Sequence, residues 1–370
     1  MSKILSELNS IINELNQKEK YTLLQNFISL SNHLEFIFGM PEPWLIIVDN
    51  QILNDLKYQD NNKYHVNNRK RYIRSLAALM IFNFLKDYTE IDMAVTITPC
   101  LVYEFNNRNV LADEKSFCDL LDTCFSLFKK FKVERFASFG LDNYKLASRN
   151  IKNIVHDEKQ IIKVIQRLKK RQMAFDVYQK FSLSNTNSKK LKVELFKPPY
   201  LIASQIAEKQ RINLKYFNRD VINRVVACHL EKEVYSDSVN TSLLKTKIKN
   251  FRHDAVGKTA SMTKIEKGKL KGIADIELIQ YCNISIQFDC ECEYTLYPLT
   301  FDKELADLIQ ETTGFNASMT ISGKDSEEDV KAKQNNFTDN LTRMNTIEER
   351  GKKIFGQLSC FYEDLSPLFS

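Results

Sequence analysis

The chain is short of structure breakers. Its 370 residues include 9 Gly and 7 Pro, too few for a collagen-like, low-complexity or turn-rich all-β protein. Its eight Cys, at 100, 118, 124, 228, 282, 290, 292 and 360, contain no CxxC pair. That excludes zinc ribbons and thioredoxin-type redox sites, and scattered free thiols suit a reducing compartment. The five His, at 33, 65, 156, 229 and 253, show neither HxxxH nor HExxH spacing, which disfavours a zinc protease. There is no GxSxG elbow, so an α/β-hydrolase is disfavoured. The segment Val256-Gly257-Lys258-Thr259 has Arg252 where a phosphate-binding loop needs glycine, so the cradle is missing. The apolar stretches, such as residues 76–85, are too short to span a membrane. Residues 1–16 read as an amphipathic helix without the apolar core of a signal peptide. The expectation is a cytoplasmic protein with no membrane partner.

Hydrophobic residues make up 43% of the chain, enough for a sizeable core and more than one domain. The net charge of +6 conceals an asymmetry. Residues 106–270 hold 34 Lys and Arg against 17 Asp and Glu, a net +17, whereas the rest hold 19 against 30, a net −11. A basic block of this size is either an electrostatic footprint for nucleic acid or a solvated Lys-rich helical surface.

Helical spacing of Ile4, Leu8, Ile11, Ile12 and Leu15 makes residues 1–38 helical. After Gly39, Pro41 and Pro43 comes the run Trp44-Leu45-Ile46-Ile47-Val48, short, partly β-branched and ended by Asp49-Asn50. That is the pattern of a strand buried on both faces of a parallel sheet. A helical face spans 74–85, a second buried strand 93–98, and a helix starts over 101–106 after Pro99. The order β, α, β, α predicts an α/β fold. Residues 106–270 lose the strand rhythm, with helices expected at 115–130 and 158–181 and a polar loop at 182–192. The α/β rhythm returns with a helix over 274–282, strands over 284–288 and 293–300, and a helix over 301–310. A polar stretch, 314–334, leads to an amphipathic helix over 335–370. No solenoid-period repeat is present.

Four acids sit at element ends: Asp49 after the first strand, Glu104 after the second, Asp275 at a helix start, and Asp302 after the last strand. In parallel sheets, sites form at the carboxyl ends of strands. Converging carboxylates repel unless a cation holds them, and oxygen ligands suit Mg²⁺ or Mn²⁺. Such ions support displacement at phosphorus. Each acid also fits a plainer role as a helix cap or first-turn acid.

The segments 46–53, 96–105, 272–282 and 296–305 together resemble a PIN-domain ribonuclease. Members share a strand ending in Asp, a strand-Pro-helix segment carrying Glu, a helix-start Asp, and a strand ending in a Thr/Ser-x-Asp turn. The resemblance implies a small parallel-sheet PIN-like core with a large, mostly helical insertion and helical termini. The corresponding domains are an N-terminal helical segment (1–40), a core in two halves (41–106 and 271–312), a basic helical insertion (107–270), and a linker with C-terminal helix (313–370). It further implies a metal-dependent endoribonuclease using Mg²⁺ or Mn²⁺. Asp49, Glu104, Asp275 and Asp302 would be the catalytic metal-binding acids, Glu277 a replacement or fifth acid, and Thr300 or Asn50 polar support. The substrate would be RNA, with single-stranded DNA as the alternative, and a toxin, RNA-processing or defence role and a regulatory protein partner would fit. Compact family members lack the roughly 170 residues that here separate Glu104 from Asp275.

Candidate phosphate contacts are Arg69, Lys70 and Arg71, the cluster Lys163, Arg167, Lys169, Lys170 and Arg171, and Lys258. Tyr72, Tyr216 and Phe217 are candidates for base stacking or core positions. Two alternatives remain. Arg149 and His156 resemble the Arg–His signature of HEPN ribonucleases, which use no metal. A catalytically inactive PIN-like RNA- or protein-binding adaptor is the other. Asp289, Glu291 and Glu293 alternate and read as a charged edge strand.

Overall fold

The computed structural model describes residues 9–35, 38–57, 66–87, 89, 91–129, 135–168, 207–210, 212–238, 264–282, 294–312, 321–323 and 325–369. The mixed α/β class expected from the sequence is present as a four-stranded parallel sheet among helices. In chain order the elements are α1 (Gln17–Glu35), β1 (Trp44–Val48), α2 (Asn50–Leu56), α3 (Val66–Asp87), β2 (Met93–Ile97), α4 (Pro99–Phe105), α5 (Glu114–Lys129), β3 (Phe136–Ser138), α6 (Tyr144–Leu168), α7 (Arg219–Ser238), β4 (Ile265–Glu266), β5 (Lys269–Leu270), α8 (Ile273–Tyr281), β6 (Thr295–Leu299), α9 (Lys303–Thr312) and α10 (Glu327–Phe369).

Contacts divide the chain into two compact units. The first holds Met1–Ile97, Leu121–Ala137 and Cys282–Ser370, and the second Thr98–Leu120 and Ser138–Tyr281. The boundary therefore falls right after β2, so α4 and α8 join the helical unit, whereas the sequence places both in the sheet core.

The sheet order is β3-β2-β1-β6. β1 is parallel to β2, with Trp44 opposite Met93, and to β6, with Trp44 opposite Thr295. Every β1 residue is buried, which explains its uninterrupted apolar run. Pro298 lies in β6 opposite Ile47, a tolerable place because β6 ends the row of described strands. The chain leaves β1 for β2 on one side and comes back to β6 on the other. The gap between the carboxyl ends of β1 and β6 is thus a topological switch point, where open α/β sheets bind ligands.

In the first unit α3 and α10 pack against α1. Phe361 of α10 sits between Phe27 of α1, 5.7 Å away, and Phe84 of α3, 5.5 Å away. Gly39 is required there, since a Cβ would overlap the Ile347 carbonyl. α10 starts at Glu327, earlier than the amphipathic pattern at 335 predicts. A reciprocal cap explains the difference: Asp329 N donates to Ser326 Oγ and Ser326 N to Asp329 Oδ2, each at 3.1 Å. α4 likewise starts at Pro99 itself, a residue preorganised for the first helical position.

In the second unit α4 packs on α6 and α8, and α7 on α6. Asn143 starts α6 by accepting from Leu146 N at 2.9 Å. The helix extends well upstream of the predicted start at 158. Lys267 and Gly268, with φ of 51° and 75°, turn the β4–β5 hairpin, as a two-residue loop of that kind requires. The expected strand at 284–288, the loop at 182–192 and residues 169–181 of the predicted helix lie outside the described residues.

Phe361→Ala should destabilise the chain by about 3–5 kcal/mol, measured by urea unfolding. A loss under about 1 kcal/mol would contradict the packing described.

Candidate functional site

At the switch point the site grows out of two strand ends. Asp49 follows β1, and its N–H donates to Leu299 O at 2.9 Å, extending the ladder to β6. It then caps α2, its Oδ1 accepting from Gln51 N at 3.3 Å. Its Oδ2 accepts from the Thr300 hydroxyl at 2.7 Å. Thr300 Oγ1 in turn accepts from Asp302 N at 3.0 Å. Asp302 caps α9, its Oδ1 accepting from Leu305 N at 3.1 Å. One hydroxyl therefore links two aspartates at the neighbouring ends of β1 and β6.

Asp49 is 6% exposed and Thr300 1%; Asp302 is half-buried. Burial pushes the Asp49 carboxyl above its ordinary value, and the Asp302 charge adds to the push. The Thr300 hydroxyl and the Gln51 and Asn50 amides pull the other way. His33, on α1, supports the same turn. Its Nδ1–H donates to Thr300 O at 3.3 Å, and Tyr297 Oη donates to His33 O at 2.6 Å. Burial lowers the His33 pKa, which favours the neutral ring. Thr300 and Asp302 follow from the pattern of a strand ended by Thr-x-Asp. His33 carries no local signal, because it pairs with a residue 267 positions away.

The other predicted acids lie in the second unit. Glu104, on α4, is half-buried and pairs with Arg108 at 3.3 Å. Asp275 is half-buried in the first turn of α8. Glu277, also on α8, is fully buried and caps α4 from a distance. Its two oxygens lie 3.3 and 3.2 Å from Cys100 N, and it also accepts from the hydroxyls of Tyr216 and Thr98. Burial nevertheless raises its pKa to about 7. Burial, then the nearby Glu277 charge, pushes the Cys100 thiol up as well. Two further buried acids, absent from the sequence reading, brace this unit. Glu158 accepts from Tyr103 Oη at 3.0 Å and Leu270 N at 2.7 Å. Asp157 accepts from the successive amides of Lys215, Tyr216 and Phe217. Among the described residues no three His, Cys, Asp or Glu side chains form a group set to hold a metal ion.

Several predicted contacts have structural partners. Arg69 forks onto Glu19 at 2.6 and 2.9 Å and lies 5.3 Å from the centre of the Tyr72 ring. Arg71 is half-buried and close enough to Asp55 to favour its carboxylate. Lys70 is exposed. Arg167 donates to Gln210. Lys169, Lys170, Arg171 and Lys258 lie outside the described residues, as do Asp289, Glu291 and Glu293. Tyr216 and Phe217 pack edge-to-face with centroids 5.2 Å apart; Phe217 is buried in the core, and Tyr216 is half-buried with its hydroxyl on Glu277. Arg149 is exposed on α6, while His156 lies in the middle of that helix with Nδ1 buried and lacking a hydrogen-bond partner. No described helix is long and apolar enough to cross a membrane. No family model matches the chain, and no curated protein or solved structure matches it either.

Glu277 ties stability to pH. Its folded pKa of about 7 exceeds its ordinary 4.5, so folding takes up a proton between those values and this contribution falls as pH rises through them. The full effect is on the order of 3 kcal/mol. Glu277→Gln should therefore gain stability relative to wild type between pH 5 and pH 8, read by urea unfolding at both. A difference that stays constant with pH would contradict the burial of this charge.

Proposed function

We propose that the chain is a metal-dependent endoribonuclease of the PIN-like kind, a hydrolase of RNA phosphodiesters in which Asp49 and Asp302 hold Mg²⁺ or Mn²⁺. The observation that carries the reading is the buried Asp49 carboxylate facing a second acid at the switch point of a parallel sheet. An ionised carboxylate there is costly, and a like charge beside it raises the cost. A divalent cation removes both penalties. The donor set fits: carboxylate oxygens suit a hard cation, and Mg²⁺ is typically held by one or two carboxylates with water and substrate phosphate completing its shell.

When bound, such an ion supplies Lewis acidity toward phosphate oxygens and makes water a competent nucleophile near neutral pH. The side chains have separate tasks. Thr300 fixes the Asp49 carboxylate through its hydroxyl and the Asp302 backbone through the same oxygen. His33 and Tyr297 hold the turn that carries Thr300. The net +17 of residues 106–270 suits a polyanionic substrate, whose binding should weaken steeply with salt.

A second reading has its own support, because Asp49 and Asp302 both cap helices. In it the chain is a catalytically inactive adaptor that binds RNA or protein. Asp49→Asn and Asp302→Asn separate the two. For the nuclease, each should lower Mn²⁺-dependent cleavage of a labelled RNA by about 100-fold or more, with RNA binding in chelator and melting temperature nearly unchanged. Thr300→Val, which leaves both acids, should cost about 10–100-fold. Full cleavage by Asp49→Asn, or no metal-dependent cleavage by wild type, rules the nuclease out.

A further inference from the structure

A groove with a cavity of about 420 Å³ lies between α1 and the first two turns of α9. Ile28, Ser29 and Asn32 line it from α1, and Lys303 and Asp307 from α9. His33 also lines it, and that residue donates to Thr300 O. Lys303 directly follows Asp302 in the chain. The groove therefore lies along two helices that pack together, with the residue after Asp302 in its wall.

The groups lining it are ordered by charge. The ammonium of Lys303 is nearest to Asp302 in sequence, and the carboxylate of Asp307 stands one helical turn, about 5.4 Å, further along. Ile28, 40% exposed, offers an apolar surface. Asn32 and Ser29 offer an amide and a hydroxyl. Burial keeps His33 toward its neutral form, so Lys303 is the cation here that meets an anion. A groove built only for phosphate would not carry Asp307. A carboxylate accepts hydrogen bonds, and a sugar hydroxyl beyond the phosphate is a suitable donor. Pairing of a carboxylate with a ribose 2′-hydroxyl is a recurrent solution. That hydroxyl is also what separates RNA from DNA.

We infer that this groove seats one ribonucleotide of the substrate next to the aspartate pair, with Lys303 meeting its phosphate and Asp307 and Asn32 taking its 2′-hydroxyl. The inference rests on the nuclease reading and deepens it, since it makes the α1–α9 groove the place where RNA is told from DNA.

The test is equilibrium binding by the full chain of a fluorescein-labelled 12-nucleotide RNA and the DNA of the same sequence, in chelator, at several salt concentrations. Wild type should bind the RNA more tightly. Asp307→Ala should lose about tenfold in RNA affinity with DNA affinity unchanged or raised. Lys303→Ala should weaken both and reduce the salt slope by about 0.7. Asn32→Ala, on the opposite wall, should narrow the RNA preference without Asp307 being altered, and serves if Asp307→Ala fails to fold. The inference is overturned if wild type binds both strands equally. It is also overturned if a folded Asp307→Ala or Asn32→Ala keeps the full preference, or if RNA and DNA lose affinity alike in them. Retained metal-dependent cleavage in that case overturns the groove alone; absence of any nucleic-acid binding by wild type overturns the nuclease reading with it.

Discussion

The Thr300 hydroxyl donates to Asp49 and accepts from the Asp302 amide, and this single oxygen fixes the geometry at the carboxyl edge of the sheet. It works because β1 and β6 are parallel and in register up to Val48 and Leu299, which brings the two strand ends level. The apolar run of β1 has a consequence beyond the core. A strand buried on both faces delivers its next residue, Asp49, into a site with little water. The carboxylate is then left with the Thr300 hydroxyl and the Gln51 and Asn50 amides, which favour its charge, and with Asp302, which opposes it. The proposed Mg²⁺ or Mn²⁺ would favour that charge as well.

The second unit shows how this chain treats buried acids that do structural work. Asp157 accepts from three consecutive backbone amides, Glu158 from an amide and a phenol, and Glu277 from an amide and two hydroxyls. Each spans two or more segments distant in sequence and satisfies donors that would otherwise be buried alone. Glu277 replaces a local cap at the start of α4, whose own Thr98 makes no side-chain cap bond. Asp49, in the first unit, has the Asp302 charge among the groups that act on it.

Much of the sheet can be read from the sequence because its strands are short, largely apolar and ended by breakers. β1, β2, β6, α8 and α9 lie where periodicity and punctuation put them, within a few residues. Helix starts set by side-chain caps are less visible: Ser326 and Asp329 move the start of α10 into a stretch that composition reads as loop. The boundary between units is hidden for a related reason. Pro99 and Glu104 look like the continuation of a β-α repeat, yet α4 is held by Glu277, 177 residues away from Cys100. Basic residues mislead in another way. Composition counts Arg69 as a phosphate contact, whereas its fork is engaged by Glu19. Tyr216, a stacking candidate from its type alone, serves as a hydroxyl donor to a buried acid. His33 could not be found at all, since its partner is a backbone carbonyl brought near only by folding.

The titration of the Asp49 carboxyl carbon by NMR, in chelator and then with Mg²⁺ added, probes the aspartate pair itself. In chelator its midpoint should lie above the ordinary 3.8, and Mg²⁺ should move it to lower pH, because a bound cation favours the charged form. A midpoint that Mg²⁺ leaves in place would contradict the assignment of a cation to this edge of the sheet.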